Sequence, residues 1–152
     1  KFAFPFIIAL AVFGTSCKKE KTNPTEGGTN LKDFYFLKDG LAYDPTSLMI
    51  QHTAGKIMIS TSTQPDETVA LNIADSLMPG DYSFSANGPF RLFYTPDNYA
   101  TTYVSESGMA TIVSHDTINN KIQAYFSCYL VSTNPLDTIY ITNGEINKTY
   151  PE

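Results

Sequence analysis

Ser114, His115 and Asp116 stand side by side, and a hydroxyl, an imidazole and a carboxylate are the parts of a hydrolytic triad. A triad needs its members to converge in space, whereas neighbours along a strand point to opposite faces, so these three are not expected to act together. His115 is expected at a strand end facing solvent, and His52, just ahead of Thr53-Ala54-Gly55, is read the same way. Two separated histidines and two cysteines supply no zinc spacing. The carboxylates occur singly except for Asp66-Glu67, so neither a calcium site nor an acid/base pair can be nominated from spacing. No catalytic residue, metal or cofactor is expected. The stretch with most to offer a ligand is RLFYTPDNYATTYV, where Arg91, Tyr94, Tyr99 and Tyr103 crowd round a Pro-Asp-Asn turn. Tyrosines near loop tips offer flat amphipathic faces to a sugar ring or a protein, which makes these four the candidate ligand contacts. The plainer reading is that they cover a sheet through cross-strand aromatic pairs, and Tyr125 and Tyr129 pose the same question.

The other side chain with chemistry to offer is Cys17. Ahead of it run Lys1, the twelve apolar residues Phe2 to Phe13, and the small residues Gly14, Thr15 and Ser16. That order of charge, apolar run and small residues is the pattern of an export signal. As a helix the run would rise about 18 Å, short of the roughly 30 Å hydrocarbon core, so it reads as a signal rather than an anchor. The sequence opens on Lys1, so an initiator methionine is expected ahead of it. A cysteine directly after the small residues, followed by Lys18, Lys19, Glu20 and Lys21, resembles the bacterial lipoprotein signal over positions 1 to 21, with Gly14 where that signal prefers Leu. The resemblance implies cleavage just before Cys17 and acylation of its thiol and new amino terminus. Two or more acyl chains give stable anchoring where one does not. An ordinary secreted chain with a Cys17–Cys128 disulfide, or an uncleaved segment, remains the alternative. Lys18 stands where some bacteria use Asp for inner-membrane retention, which points to the outer membrane, with periplasmic and surface faces both open.

These readings divide the chain into a signal peptide at 1–16, a lipidated cysteine and flexible tether at 17–31, and a folded domain at 32–152. The tether, KKEKTNPTEGGTNL after Cys17, is polar and rich in Gly, Thr and Asn, with almost nothing to bury. The whole chain has 152 residues, 42% of them hydrophobic, with ten Tyr and ten Phe, which fits an ordered domain able to bury a core. A net charge of −5 with no basic block argues against a nucleic-acid partner.

From Phe34 onward, short β-branched and aromatic runs alternate with turn dipeptides, and no helical period is sustained. The fold class expected is all-β, an antiparallel β-sandwich or barrel-like domain of about ten short strands. Asp39-Gly40 and Asn87-Gly88 read as hairpin turns, the latter joining YSFS to FRLFY. In KIQAYFSCYLV, alternation puts Ile122, Ala124, Phe126, Cys128 and Leu130 on the core face, with Cys128 a small buried hydrophobe. Ile57 with Ile59, Val69 with Leu71 and Ile73, and Ile139 with Ile141 are paired onto core faces in the same way.

Four weak motifs in order, Gly40 with Tyr43, Gly80 with Tyr82, Ile122 to Cys128, and Thr142-Asn143-Gly144 with Ile146, resemble an uncharacterised family of small β-rich lipoproteins common in Bacteroidota. Ala124 departs from its usual Gly and Tyr43 from its common Trp. The family carries no agreed activity, so the resemblance implies fold and location only. The function expected is a cell-envelope lipoprotein acting as a non-catalytic binding or structural module, with the membrane as partner through the lipid. The alternative is an accessory glycan-binding or partner-docking subunit of an outer-membrane complex, and a small hydrolytic enzyme comes third.

Overall fold

Burial along the chain alternates with period two, the mark of strands with one face in a core and one in water. The computed structural model describes residues 32–45, 47–63, 67–96, 101–134 and 136–152. The signal and tether at 1–31, Cys17 included, lie outside them, as do Tyr99 and the Pro65-Asp66 turn. Ten strands run in order: β1 (Phe34–Lys38), β2 (Leu41–Tyr43), β3 (Met49–Thr53), β4 (Lys56–Thr63), β5 (Glu67–Ala74), β6 (Gly80–Ser83), β7 (Phe90–Thr95), β8 (Tyr103–Asp116), β9 (Lys121–Thr133) and β10 (Leu136–Thr149). All ladders are antiparallel, and no helix occurs among the described residues.

The strands form one curled sheet in the order β2-β1-β10-β9-β8-β7-β5-β4-β3, with β6 also pairing on β8, so the barrel-like form of the expected class is the one adopted. Asp39-Gly40 turns β1 into β2 and Ala54-Gly55 turns β3 into β4, each with both residues at positive φ, as two-residue hairpins of matching twist require. Asn87-Gly88 makes no such reversal. β6 and β7 both run antiparallel to β8, with Ser83 opposite Met109 and Phe93 opposite Val104, so they advance in the same direction. Residues 85–89 form an excursion between them, its turn closed by the Gly88 N–H donating to the Ser85 carbonyl at 3.1 Å. β8 and β10, of 14 residues each, are longer than expected, because each continues through β-bulges instead of ending in a turn.

The concave face is the core. All the expected core residues of β9 are buried, together with Ile57, Ile59, Val69, Leu71, Ile73, Ile139 and Ile141. Phe34, Phe36, Phe84, Phe90 and Phe126, none more than 4% exposed, fill the inside of the curl. Their rings meet edge-on, tilted or stacked, as at Phe34–Phe36 with centroids 5.7 Å apart. A curl of this size is filled by side chains rather than left hollow.

Candidate functional site

Arg91, Tyr94 and Tyr103 do not share a surface. Alternation along β7 sends Tyr94 inward, where it is 4% exposed and packs on Tyr103, itself 7% exposed, at 6.0 Å between ring centroids. The Tyr94 hydroxyl bonds Glu67 Oε1 and Lys38 Nζ, and that lysine pairs with Glu67 at 2.6 Å. The Tyr103 hydroxyl donates to Asp137 Oδ2 at 2.8 Å, a bond that raises the phenol pKa and, with the Thr138 N–H, lowers that of the carboxylate. Both tyrosines thus help cover the sheet and close one end of the curl. Arg91 faces outward, its guanidinium 4.9 Å from the Phe93 ring centroid.

The other end of the curl is closed by a cluster that spacing could not reveal. His52 on β3 and His115 on β8 do not face solvent as expected; both are half-buried on the concave side. His52 Nε2 bonds Asp75 Oδ2 at 2.9 Å. His115 bonds the Leu77 carbonyl through Nδ1 and the Tyr150 hydroxyl through Nε2, each at 2.7 Å. The Tyr150 ring lies between the two imidazoles, with centroids 5.2 Å from His52 and 5.8 Å from His115. Burial, with Asp75 and Asp116 nearby, raises the Tyr150 phenol pKa. The cluster is an interlock of elements distant in sequence, held by these hydrogen bonds and ring contacts. Ser114, next to His115, points to the other face and donates to Gln123 Oε1 at 2.8 Å, so the two hold no common substrate position.

With the concave face filled, the convex face is the surface that the described strands leave open to a ligand. Along β8–β9–β10 it carries Thr111 opposite Tyr125 and Met109 opposite Ser127. In β10 the register shifts between Ile141 and Gly144, so Thr142 and Asn143 together oppose Ser127, and Asn143 takes a φ of 51°. A bulge re-aims its side chains, and here it borders an open groove of about 530 Å³. Met109, Thr111, Tyr125, Ser127 and Asn143 line it, with Phe126 and Gly144. A Cβ at Gly144 would fall 2.5 Å from the Phe126 ring, so glycine is required there.

Beyond Ser127 the same face carries Tyr129 and Tyr140, a T-shaped pair with centroids 4.6 Å apart. They border a recess of about 120 Å³ that also includes Ser127. Tyr125 and Tyr129 sit on one face of one strand, four residues or about 13 Å apart. This face therefore offers tyrosine rings for stacking, Tyr125 in the groove and Tyr129 with Tyr140 at the recess, with Ser127 lining both. The signal that could have located it is Asn-Gly inside an alternating run, since a glycine within a strand pattern marks a bulge. Among the described residues no group of three or more His, Cys, Asp or Glu side chains is placed to hold a metal ion. No protein-family model, curated protein or solved structure matches this chain.

Proposed function

We propose that the chain is a cell-envelope lipoprotein, held at the outer membrane through acylated Cys17, whose β domain is a non-catalytic binding module. The observation that carries the binding reading is the groove over β8–β9–β10, which lies on the convex face of a curl whose inside is filled. Its lining suits a glycan. Tyr125 offers a ring face to a sugar, and Ser127, Asn143 and Thr111, whose hydroxyl donates to Asp81 Oδ1 at 2.7 Å, add hydroxyl and amide groups to the same lining. The anchor is supported by the apolar run ending at Cys17 and the polar stretch behind it, and the resemblance to β-rich envelope lipoproteins points the same way.

Two measurements test this. Intact mass of the detergent-extracted protein should give a chain starting at Cys17 with added acyl mass, and Cys17→Ala should move the protein to the soluble fraction. An unmodified soluble chain overturns the anchor. A glycan array probed with the full chain should show binding that Tyr125→Ala weakens about tenfold, as loss of a stacking aromatic does. Absence of glycan binding, with crosslinks from this face to one envelope protein, would replace the glycan by a docked partner.

A further inference from the structure

The cations of the described residues are Lys32, Lys38, Lys56, Arg91, Lys121 and Lys148. Lys32 pairs with Asp44, Lys38 with Glu67 and Lys148 with Asp33. Among the described residues Lys56, Arg91 and Lys121 enter no ion pair, and the first two line one recess of about 60 Å³ on the convex side, where β4, β5 and β7 lie together. Asn72, directly opposite Arg91 in the β5–β7 ladder, lines it too, and Gly88 and Pro89 of the excursion form its rim. A Cβ at Gly88 would fall 2.6 Å from Ser85 Oγ and 3.1 Å from the Ser83 carbonyl oxygen, so a larger residue would make the rim shift.

Arg91 is poised rather than idle. The Phe93 ring supports its guanidinium at 4.9 Å, which fixes the fork in place. Its Nε is buried and hydrogen-bonds no described protein atom. A buried donor left unmet is costly and rare in native structures, and the acceptor that meets a guanidinium best is a planar or tetrahedral oxyanion. The recess is small: about 10–15 Å³ of such space admits a water, so 60 Å³ takes a charged end group rather than a whole ligand. The chain as a whole is acidic at −5, so its long-range field repels anions, and attraction has to be local.

We propose that this recess binds a terminal oxyanion of a ligand, a carboxylate, sulfate or phosphate, with Arg91 as the forked donor, Lys56 as the second cation and Asn72 as a neutral hydrogen-bonding partner. The site is separate from the groove over β8–β9–β10 and does not depend on what that groove binds.

The test uses the full chain, ¹⁵N-labelled and titrated with sodium glucuronate, sodium sulfate or sodium phosphate, with sodium chloride holding ionic strength constant. The Arg91 Nε–H resonance is read. A saturable shift is expected, and the anion that shifts it at the lowest concentration identifies which oxyanion the site takes. Lys56→Gln and Arg91→Gln should each weaken binding roughly tenfold or more, the loss of one charge-assisted contact, and Lys121→Gln should leave it unchanged. Lys56 is exposed, so its variant keeps the fold and carries the test should Arg91→Gln not fold. The proposal is overturned if no anion gives a saturable shift, if Lys56→Gln binds as the parent does, or if Lys121→Gln weakens binding as much as Lys56→Gln. Loss of glycan binding in Tyr125→Ala should leave the anion response intact.

Discussion

The Cys128 thiol is 3% exposed, and burial pushes its pKa from 9.0 up to about 12. The folded chain holds the neutral thiol that the unfolded chain would ionise near pH 9. The stabilisation is therefore complete below that value and lost as pH rises from 9 towards 12. The Tyr150 phenol, raised by burial and by Asp75 and Asp116, and the Tyr103 phenol, raised first by its bond to Asp137, act in the same alkaline direction above pH 10. The urea midpoint should accordingly fall above pH 9. Cys128→Ala should start lower at pH 7, for the methyl-sized gap it leaves, and fall less steeply between pH 9 and 11; a parallel fall would remove the thiol from the account. Thiol counting adds a second reading: an acylated native chain should react with no thiol reagent when folded and at one site when unfolded, and a second reactive site would mean an unacylated Cys17. The burial of Cys128 was legible because KIQAYFSCYLV alternates without interruption over a whole strand. The surroundings of His52 and His115 were not, since nothing in residues 52, 75, 115 and 150 announces that a curl brings them together.

Strands are legible in a sequence more readily than their directions. Asn-Gly reports that the chain bends locally, yet between β6 and β7 the bend is an excursion, because both segments find their partner on the same edge of β8. Asp39-Gly40 and Ala54-Gly55 reverse the chain because each is flanked by segments that pair with one another. Within β10, Asn143-Gly144 does neither and yields a bulge, so the same chemistry has three outcomes decided by which strands lie alongside. Pairing across the curl is a further step removed. β1 and β5 are not neighbours in the sheet, and Lys38, Glu67 and Tyr94 join them over the concave side. Tyr94→Phe removes the hydroxyl and leaves the Lys38–Glu67 pair, so a loss of about 1–2 kcal/mol is expected, a little above an ordinary hydrogen bond because both partners are ionic. Denaturant unfolding measures it; an unchanged midpoint would mean that the Tyr94 hydroxyl adds nothing to the Lys38–Glu67 pair.

A single sheet that curls without closing ends at β2 on one side and β3 on the other, and among the described residues no backbone ladder joins them. What holds the curl is then the packed aromatic interior and the two polar interlocks at its ends. Tyr150 is the clearest case: its N–H donates to the Asn120 carbonyl at 2.7 Å, its hydroxyl meets His115 and its ring touches His52, so one residue after β10 ties together β3, β8 and the β8–β9 turn. Tyr150→Phe keeps the ring and loses one hydrogen bond, an expected cost of about 1 kcal/mol. Tyr150→Ala also empties a buried site, and by analogy with other large aromatic truncations about 3–5 kcal/mol is expected. The two also differ in where the loss is felt. If the interlock closes the curl, amide exchange in Tyr150→Ala should quicken first in the β3–β4 hairpin, whose His52 ring touches Tyr150, while the centre of β9, flanked on both sides by long ladders, stays protected. Exchange that quickened evenly in every strand would instead show that the sheet opens only as a whole, and that its curvature is set by strand twist and core packing rather than by this contact.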